Sequence, residues 1–362
     1  MDDCKRRDQL LNTYRIALYP GDGIGSEVLE AAYAVLEAAQ RAVGGFRLDS
    51  THFDWGVAYY QRHGRVVPDD FLTTLRGFDA ILLGALGWPD RLPDSVTLAP
   101  LLQLRQTFEL YANLRPAQTF RGVLGPLRSD QPIDLIVVRE NSEGEYVYNG
   151  GSLAASTADE VAIQSAIHTR RGIERILRFA FQLAGTRRRR LAMITKSNAQ
   201  PHAYGLWDRL LVELAPEYPH VAVEKLHVDA ATLHLVRRPH TFDVLVGSNL
   251  FGDILSDLTG GITGSLGLNP SANLDPTRRY PSLFEPVHGS APDIAGKGIA
   301  NPTGAILSAA MMLEWLGEKP AATAVRRAVE QAFIDGQLTQ DLGGNLSSSA
   351  LAAAIVERVR PS

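Results

Sequence analysis

A single cysteine, Cys4, stands among 362 residues, so neither an intrachain disulfide nor a thiolate zinc site is possible. No apolar run approaches the roughly 18 residues that a membrane helix needs. The opening Met1-Asp2-Asp3-Cys4-Lys5-Arg6-Arg7 has no apolar stretch of the kind found in secretory signals, so a cytoplasmic protein is expected. Positive charge is not in excess. Against 40 Asp and Glu there are 36 Lys and Arg, a net charge of −4, and no basic field marks a nucleic-acid or membrane partner. The run Arg187-Arg188-Arg189-Arg190 lies between a helix end and a strand start and reads as a solvated turn. The remainder, 45% hydrophobic and 21% charged, excludes a disordered or fibrous chain. The length suits two domains at about 150 residues each, and an enzyme is the favoured class.

Strand and helix patterns alternate along the chain. Arg15 to Pro20, Phe78 to Gly84, Ile133 to Val138, Leu191 to Thr195 and Phe242 to Gly247 read as short buried strands. Ser26 to Arg41 reads as an Ala-rich helix. From Thr169 to Ala184, Ile173, Ile176, Leu177, Ala180, Phe181 and Ala184 form one stripe, with Gly185 expected as the C-cap. Asn301-Pro302 reads as an N-cap and first helical residue of a helix ending near Gly317. Such alternation predicts a parallel-sheet α/β architecture with both faces covered.

Gly21-Asp22-Gly23-Ile24-Gly25 follows a strand and opens a helix, which invites a Rossmann reading. That fingerprint requires Gly or Ala three residues after its second glycine, and Ser26 stands there. A tight strand-to-helix turn is the better reading. Asp253 and Asp257 are spaced i, i+4 just after a strand end, which puts two carboxylates on one helix face. Like charges so placed suit a hard cation such as Mg²⁺ or Mn²⁺. Arg105, Arg115 and Arg139 offer planar forks that match carboxylates, Arg139 at the end of an apolar strand. Lys196 similarly ends a strand, and Tyr146 follows Arg139 closely.

The order of these motifs is specific. After the glycine loop come Tyr111-Ala112-Asn113-Leu114-Arg115-Pro116, then Val138-Arg139-Glu140-Asn141-Ser142-Glu143-Gly144-Glu145-Tyr146. Thr195-Lys196-Ser197-Asn198, Gly252 to Asp257, and Glu285-Pro286-Val287-His288-Gly289-Ser290-Ala291-Pro292-Asp293 follow. This order resembles the β-decarboxylating dehydrogenases, which include isopropylmalate, isocitrate, homoisocitrate, tartrate and D-malate dehydrogenases. Phe53-Asp54-Trp55-Gly56, Pro93 to Leu98 and the Arg139 to Tyr146 segment are most similar to the tartrate and D-malate branch.

The resemblance implies an isopropylmalate dehydrogenase-like, non-Rossmann fold, with two interleaved α/β domains around a largely parallel sheet. Residues 1–110 and 264–362 would form a large cofactor-binding domain, and 111–263 a small domain with the metal ligands and dimer interface. It implies NAD- and Mg²⁺- or Mn²⁺-dependent oxidative decarboxylation of a 2-hydroxy dicarboxylate, with 3-isopropylmalate or a 3-alkylmalate as alternative substrate. A non-catalytic regulatory subunit is a remote alternative. By the same resemblance, Arg105, Arg115 and Arg139 clamp substrate, with Leu101 and Leu102 as an apolar pair beside it. Asp229, Asp253 and Asp257 hold the metal, Lys196 is the base and Tyr146 the acid. Glu285, His288, Gly289, Ser290, Ala291, Asp293, Ile294 and Asn301 face NAD, with Asp293 selecting it over NADP. A homodimer with shared active sites completes the expectation, Lys196 and Asp229 reaching into the partner's site.

Overall fold

Ile16 to Tyr19 and Ala80 to Leu83 are apolar at every position, a pattern only a strand covered on both faces satisfies, and all eight residues are buried. The computed structural model describes residues 11–128 and 131–361; the Met1 to Arg7 stretch read for a signal lies outside them. Its first half runs β1 (Asn12–Gly21), α1 (Gly25–Val43), β2 (Phe46–His52), α2 (Val57–His63), α3 (Phe71–Leu75) and β3 (Ala80–Ala85). Then come α4 (Asp94–Thr97), α5 (Ala99–Thr107), β4 (Ala112–Gln118), β5 (Asp134–Glu140), β6 (Gly150–Leu153) and β7 (Val161–Gln164). The second half runs α6 (Arg170–Thr186), β8 (Arg190–Thr195), α7 (Pro201–Leu214), β9 (Ala222–His227), α8 (Val228–Arg237) and β10 (Val244–Gly247). It closes with α9 (Asn249–Thr263), β11 (Pro270–Leu274), β12 (Ser282–Pro286), α10 (Thr303–Trp315), α11 (Lys319–Ile334) and α12 (Ser348–Arg358).

Ten strands form one sheet in the order β2-β1-β3-β12-β11-β4-β5-β10-β8-β9, and β6 and β7 pair separately as a hairpin. Six of the nine pairings in the large sheet are parallel. The three antiparallel ones, β12·β11, β11·β4 and β4·β5, sit together at the centre. Two parallel blocks therefore run in opposite directions and meet at a seam. Among the described residues no helix is long and apolar enough to cross a membrane.

Helix signals are mostly local and mostly held. Thr169 caps α6, its hydroxyl accepting from Gly172 N at 3.0 Å, and all six stripe residues are buried. Gly185 is not the C-cap. The helix continues through Thr186, and the left-handed residue is Arg189, at φ 61°. The arginine run is a turn, but not merely a solvated one. Arg187 and Arg188 grip Asp243, which is fully buried, so the run fastens the start of β10 to the end of α6. α10 begins at Thr303, one residue later than expected, although the Asn301 side chain still accepts from Thr303 N. The glycine loop packs instead against the segment after β12. At Gly23, φ +57°, a Cβ would lie 2.0 Å from the Ser290 carbonyl oxygen.

The second close approach sets the site. A Cβ on Gly252 would stand 2.5 Å from Cβ of Arg139, so glycine lets α9 lie against β5. Overfilling a packed contact costs about 1–3 kcal/mol. Gly252→Ala is therefore expected to lower unfolding free energy by about that amount in denaturant titration; wild-type stability would refute the contact.

Candidate active site

The seam places polar side chains where a sheet is ordinarily apolar. Asn113 on β4, Arg139 on β5 and Asn273 on β11 share one register row, since Asn113 pairs with both others across the ladder. Each is buried, so each must find partners. Asn273 donates to Glu285 Oε1 (2.8 Å) and accepts from Asn113 (3.1 Å) and Asn141 (2.8 Å). Asn113 in turn accepts from Arg115 Nε at 2.7 Å. Glu285 pairs with Arg105 at 3.0 Å. Arg115 continues to Asp253 Oδ1 (3.0 Å) and Ser256 Oγ (2.7 Å). One connected chain of hydrogen bonds thus runs from Arg105 to Asp253 through the middle of the sheet.

Asp253 is the far end of that chain and the densest point of the site. The same Oδ1 also receives Arg139, whose Nε donates to Asn249 at 2.8 Å. Its other oxygen accepts from the Tyr146 hydroxyl at 2.7 Å, and the Arg139 guanidinium lies over the Tyr146 ring at 5.0 Å. Burial alone would push the Asp253 carboxyl up, but Arg139 and Arg115 together hold it below the usual carboxylate range. Burial depresses Arg139 to about 9, with the nearby charges of Arg115 and Arg105 adding to it. Tyr146 moves the other way, raised to about 12 by burial and then by its bond to Asp253. At neutral pH the phenol therefore carries its proton.

Asp257 lies one turn further along α9 and has no hydrogen-bond or ion-pair partner among the described residues. Its carboxyl is pushed up, by partial burial first and then by the charge of Asp253. Two carboxylates with one unpartnered fit a hard divalent cation that takes further oxygen ligands from water or substrate. The expected third ligand is elsewhere. Asp229 pairs with Lys196 at 2.6 Å, and this bond lowers its pKa. Among the described residues of one chain, no three acidic, His or Cys side chains converge on a metal position. The structure thus brings Arg105, Arg115, Arg139, Tyr146, Asp253 and Asp257 together, and sets Lys196 with Asp229 as a separate pair.

The segment expected to face NAD follows β12. His288 Nδ1 contacts the Gly289 carbonyl oxygen at 2.8 Å, while its Nε2 is buried without a partner. Ser290 is buried, Gly289 and Asp293 are exposed, Ile294 is half-buried, and Ala291 takes a left-handed φ of 39°. Asn301 spends its side chain on Thr303 N and Asp341, and Glu285 on Arg105 and Asn273. Of the expected apolar pair, Leu101 is buried in the apolar cluster that includes Tyr19, Trp55 and Leu104, and Leu102 is half-buried. Reading the sequence missed Asn113, Asn141 and Asn273 altogether. Their signal was an asparagine amid strand-forming residues, where asparagine is disfavoured unless a buried network holds it.

The chain is 48% identical over 353 residues to an Agrobacterium vitis protein named "Probable tartrate dehydrogenase/decarboxylase", covering 96% of this chain and 98% of that one. It is 47% identical over 356 residues to the decarboxylating D-malate dehydrogenase of Escherichia coli strain K12, with coverage of 96% and 98%. The crystal structure of isocitrate dehydrogenase from Methylococcus capsulatus superimposes with a TM-score of 0.88 at 39% identity, covering 96% and 99%. The model of the isocitrate/isopropylmalate dehydrogenase family matches residues 15–359. On that match and these identities, the chain belongs to the isocitrate/isopropylmalate dehydrogenase family and is an oxidoreductase.

Proposed function

We propose that the protein oxidises and decarboxylates a 2-hydroxy dicarboxylate, D-malate or a tartrate, using NAD and Mg²⁺ or Mn²⁺. The observation that carries this reading is the convergence of Arg105, Arg115 and Arg139 on Asp253 beside Tyr146. Three guanidiniums within electrostatic reach of Asp253, Asp257 and Glu285 balance three carboxylates. A dicarboxylate adds two negative charges, so it enters at neutral balance only with a divalent cation. The names of the relatives from Agrobacterium vitis and Escherichia coli support the two substrates.

Asp253 and Asp257, with Asp229 of a second copy, would hold the metal, which when bound supplies Lewis-acid chemistry at substrate oxygens. The unpartnered His288 Nε2 and exposed Asp293 suit the dinucleotide, which accepts the hydride. A carboxylate at Asp293 accepts from a ribose 2′-hydroxyl and repels a 2′-phosphate. The arginines orient the substrate carboxylates bidentately, and their burial excludes the water that would weaken that grip. Tyr146, protonated at neutral pH and aimed by Asp253, delivers a proton to carbon after CO₂ leaves. Lys196 takes the hydroxyl proton.

Lys196 and Asp229 reach no member of the Asp253 cluster in their own chain, which favours a two-fold dimer with composite sites. Leu153, Val161 and Ile163 of the hairpin, Leu233 and Val236 of α8, and Ile254 of α9 are exposed apolar residues suited to a partner's surface. A non-catalytic subunit would be free to lose Lys196, Tyr146 or a metal aspartate; all are present.

Two measurements test the reading. kcat/KM across D-malate, the tartrate stereoisomers, 3-isopropylmalate and isocitrate, with NAD and with NADP, is expected to be highest for D-malate or a tartrate with NAD. One methylene-scale difference is worth only about 1–3 kcal/mol, so cross-reactivity is expected. A clear preference for isopropylmalate, or for NADP, would overturn the corresponding assignment. Chelation is expected to abolish turnover and Mg²⁺ or Mn²⁺ to restore it; full activity in metal-free enzyme would remove Asp253 and Asp257 from the metal site.

A further inference from the structure

Tyr146 is 36% exposed, and its own side chain is held only by Asp253 and the face of Arg139. The backbone that carries it is held far more firmly, from the residue before. The Glu145 carboxylate accepts from the Tyr204 hydroxyl and from Ser248 Oγ (3.1 Å) at one oxygen, and from Leu250 N (3.1 Å) at the other. The Tyr204 and Ser248 oxygens lie 2.9 Å apart beside it. Ser248 is the N-cap of α9, and Leu250 lies in its first turn. Asn249 reinforces the junction by donating to the Glu143 carbonyl oxygen at 2.9 Å. The segment bearing Tyr146 is therefore fastened to the start of the helix that, one turn later, presents Asp253.

We propose that Glu145 is a positioning residue for the reaction: it locks the Tyr146 segment to the start of α9 so that the phenol meets Asp253 and the reacting carbon in one geometry. A half-buried carboxylate held by two hydroxyls and one backbone N–H, with no ion-paired Lys or Arg among the described residues, is more than a space filler. The His168 ring receives Trp207 Nε1–H at its Nδ1 (3.2 Å), which leaves the proton of the neutral ring on Nε2, 3.8 Å from the same Glu145 oxygen and beyond hydrogen-bond reach. The two hydroxyls and Leu250 N thus each present a hydrogen to the carboxylate. Tyr146 itself has only one such anchor.

The inference rests on reading Tyr146 as the acid, and a double-mutant cycle separates the two. Glu145→Ala is expected to lower kcat about 100-fold, the scale of an ångström misplacement of a reacting group, with KM for the substrate nearly unchanged. Glu145→Gln, which can turn its oxygen to Leu250 N and its amide to the two hydroxyls, is expected to regain most of that loss. In a Tyr146→Phe background, Glu145→Ala is expected to change kcat less than about two-fold, because the group it positions is already gone. Were Glu145 merely structural, the same 100-fold loss would recur in that background, and the proposal would fall while the role of Tyr146 stood. If Tyr146→Phe alone retained wild-type kcat, the reading of Tyr146 would fail first. Should Glu145→Ala not fold, Tyr204→Phe removes one of the three donors. It is then expected to show the same dependence on Tyr146 with a smaller loss, and equal loss in both backgrounds would reject the inference.

Discussion

Two guanidiniums sharing one carboxylate oxygen, Arg115 and Arg139 on Asp253 Oδ1, are the contact on which the site depends. Both arginines are buried, so neither could remain charged there without an acid, and removing one partner of such a pair typically costs about 3–5 kcal/mol. The pair joins three elements. β4 supplies Arg115, β5 supplies Arg139, and α9 supplies Asp253, brought close by Gly252. Because Asp253 is outnumbered by its two direct partners, it stays ionised.

The antiparallel seam explains why so much charge can be buried. Where β12, β11, β4 and β5 meet, Asn113 and Asn273 relay hydrogen bonds between Arg105·Glu285 and Arg115·Asp253. The two ion pairs consequently behave as one network rather than two isolated burials. Segments 112–118 and 270–274 are adjacent strands in the sheet though more than 150 positions apart, so the network forms only when both parallel blocks have docked. Assembly of the site is coupled to completion of the fold.

Much of this was legible in the sequence. Continuous apolar runs at Ile16, Ala80 and Leu135 gave buried strands, and the α6 stripe gave its helix, because both patterns are local. The i, i+4 spacing of Asp253 and Asp257 gave one helix face. The failures have a common cause. Gly185 looked like a helix end, but the turn that stops α6 is set by Arg187 and Arg188 reaching buried Asp243, a contact more than 50 residues away. The asparagine relay was invisible because its members come from β4, β11 and the segment after β5. Motif order identified the family; only packing revealed which side chains one chain can bring together.

On the proposed reading, Lys196 and Asp253 work in the same site from different chains. Two inactive variants, Lys196→Ala and Asp253→Ala, unfolded together and refolded as a mixture, test it directly. In a mixed dimer one site carries both lesions and the other neither. With equal, random pairing half the dimers are mixed, so roughly a quarter of wild-type activity is predicted to return. If Lys196 served its own chain, every site would keep one lesion, and a mixture that stayed dead after verified subunit exchange would contradict the shared site.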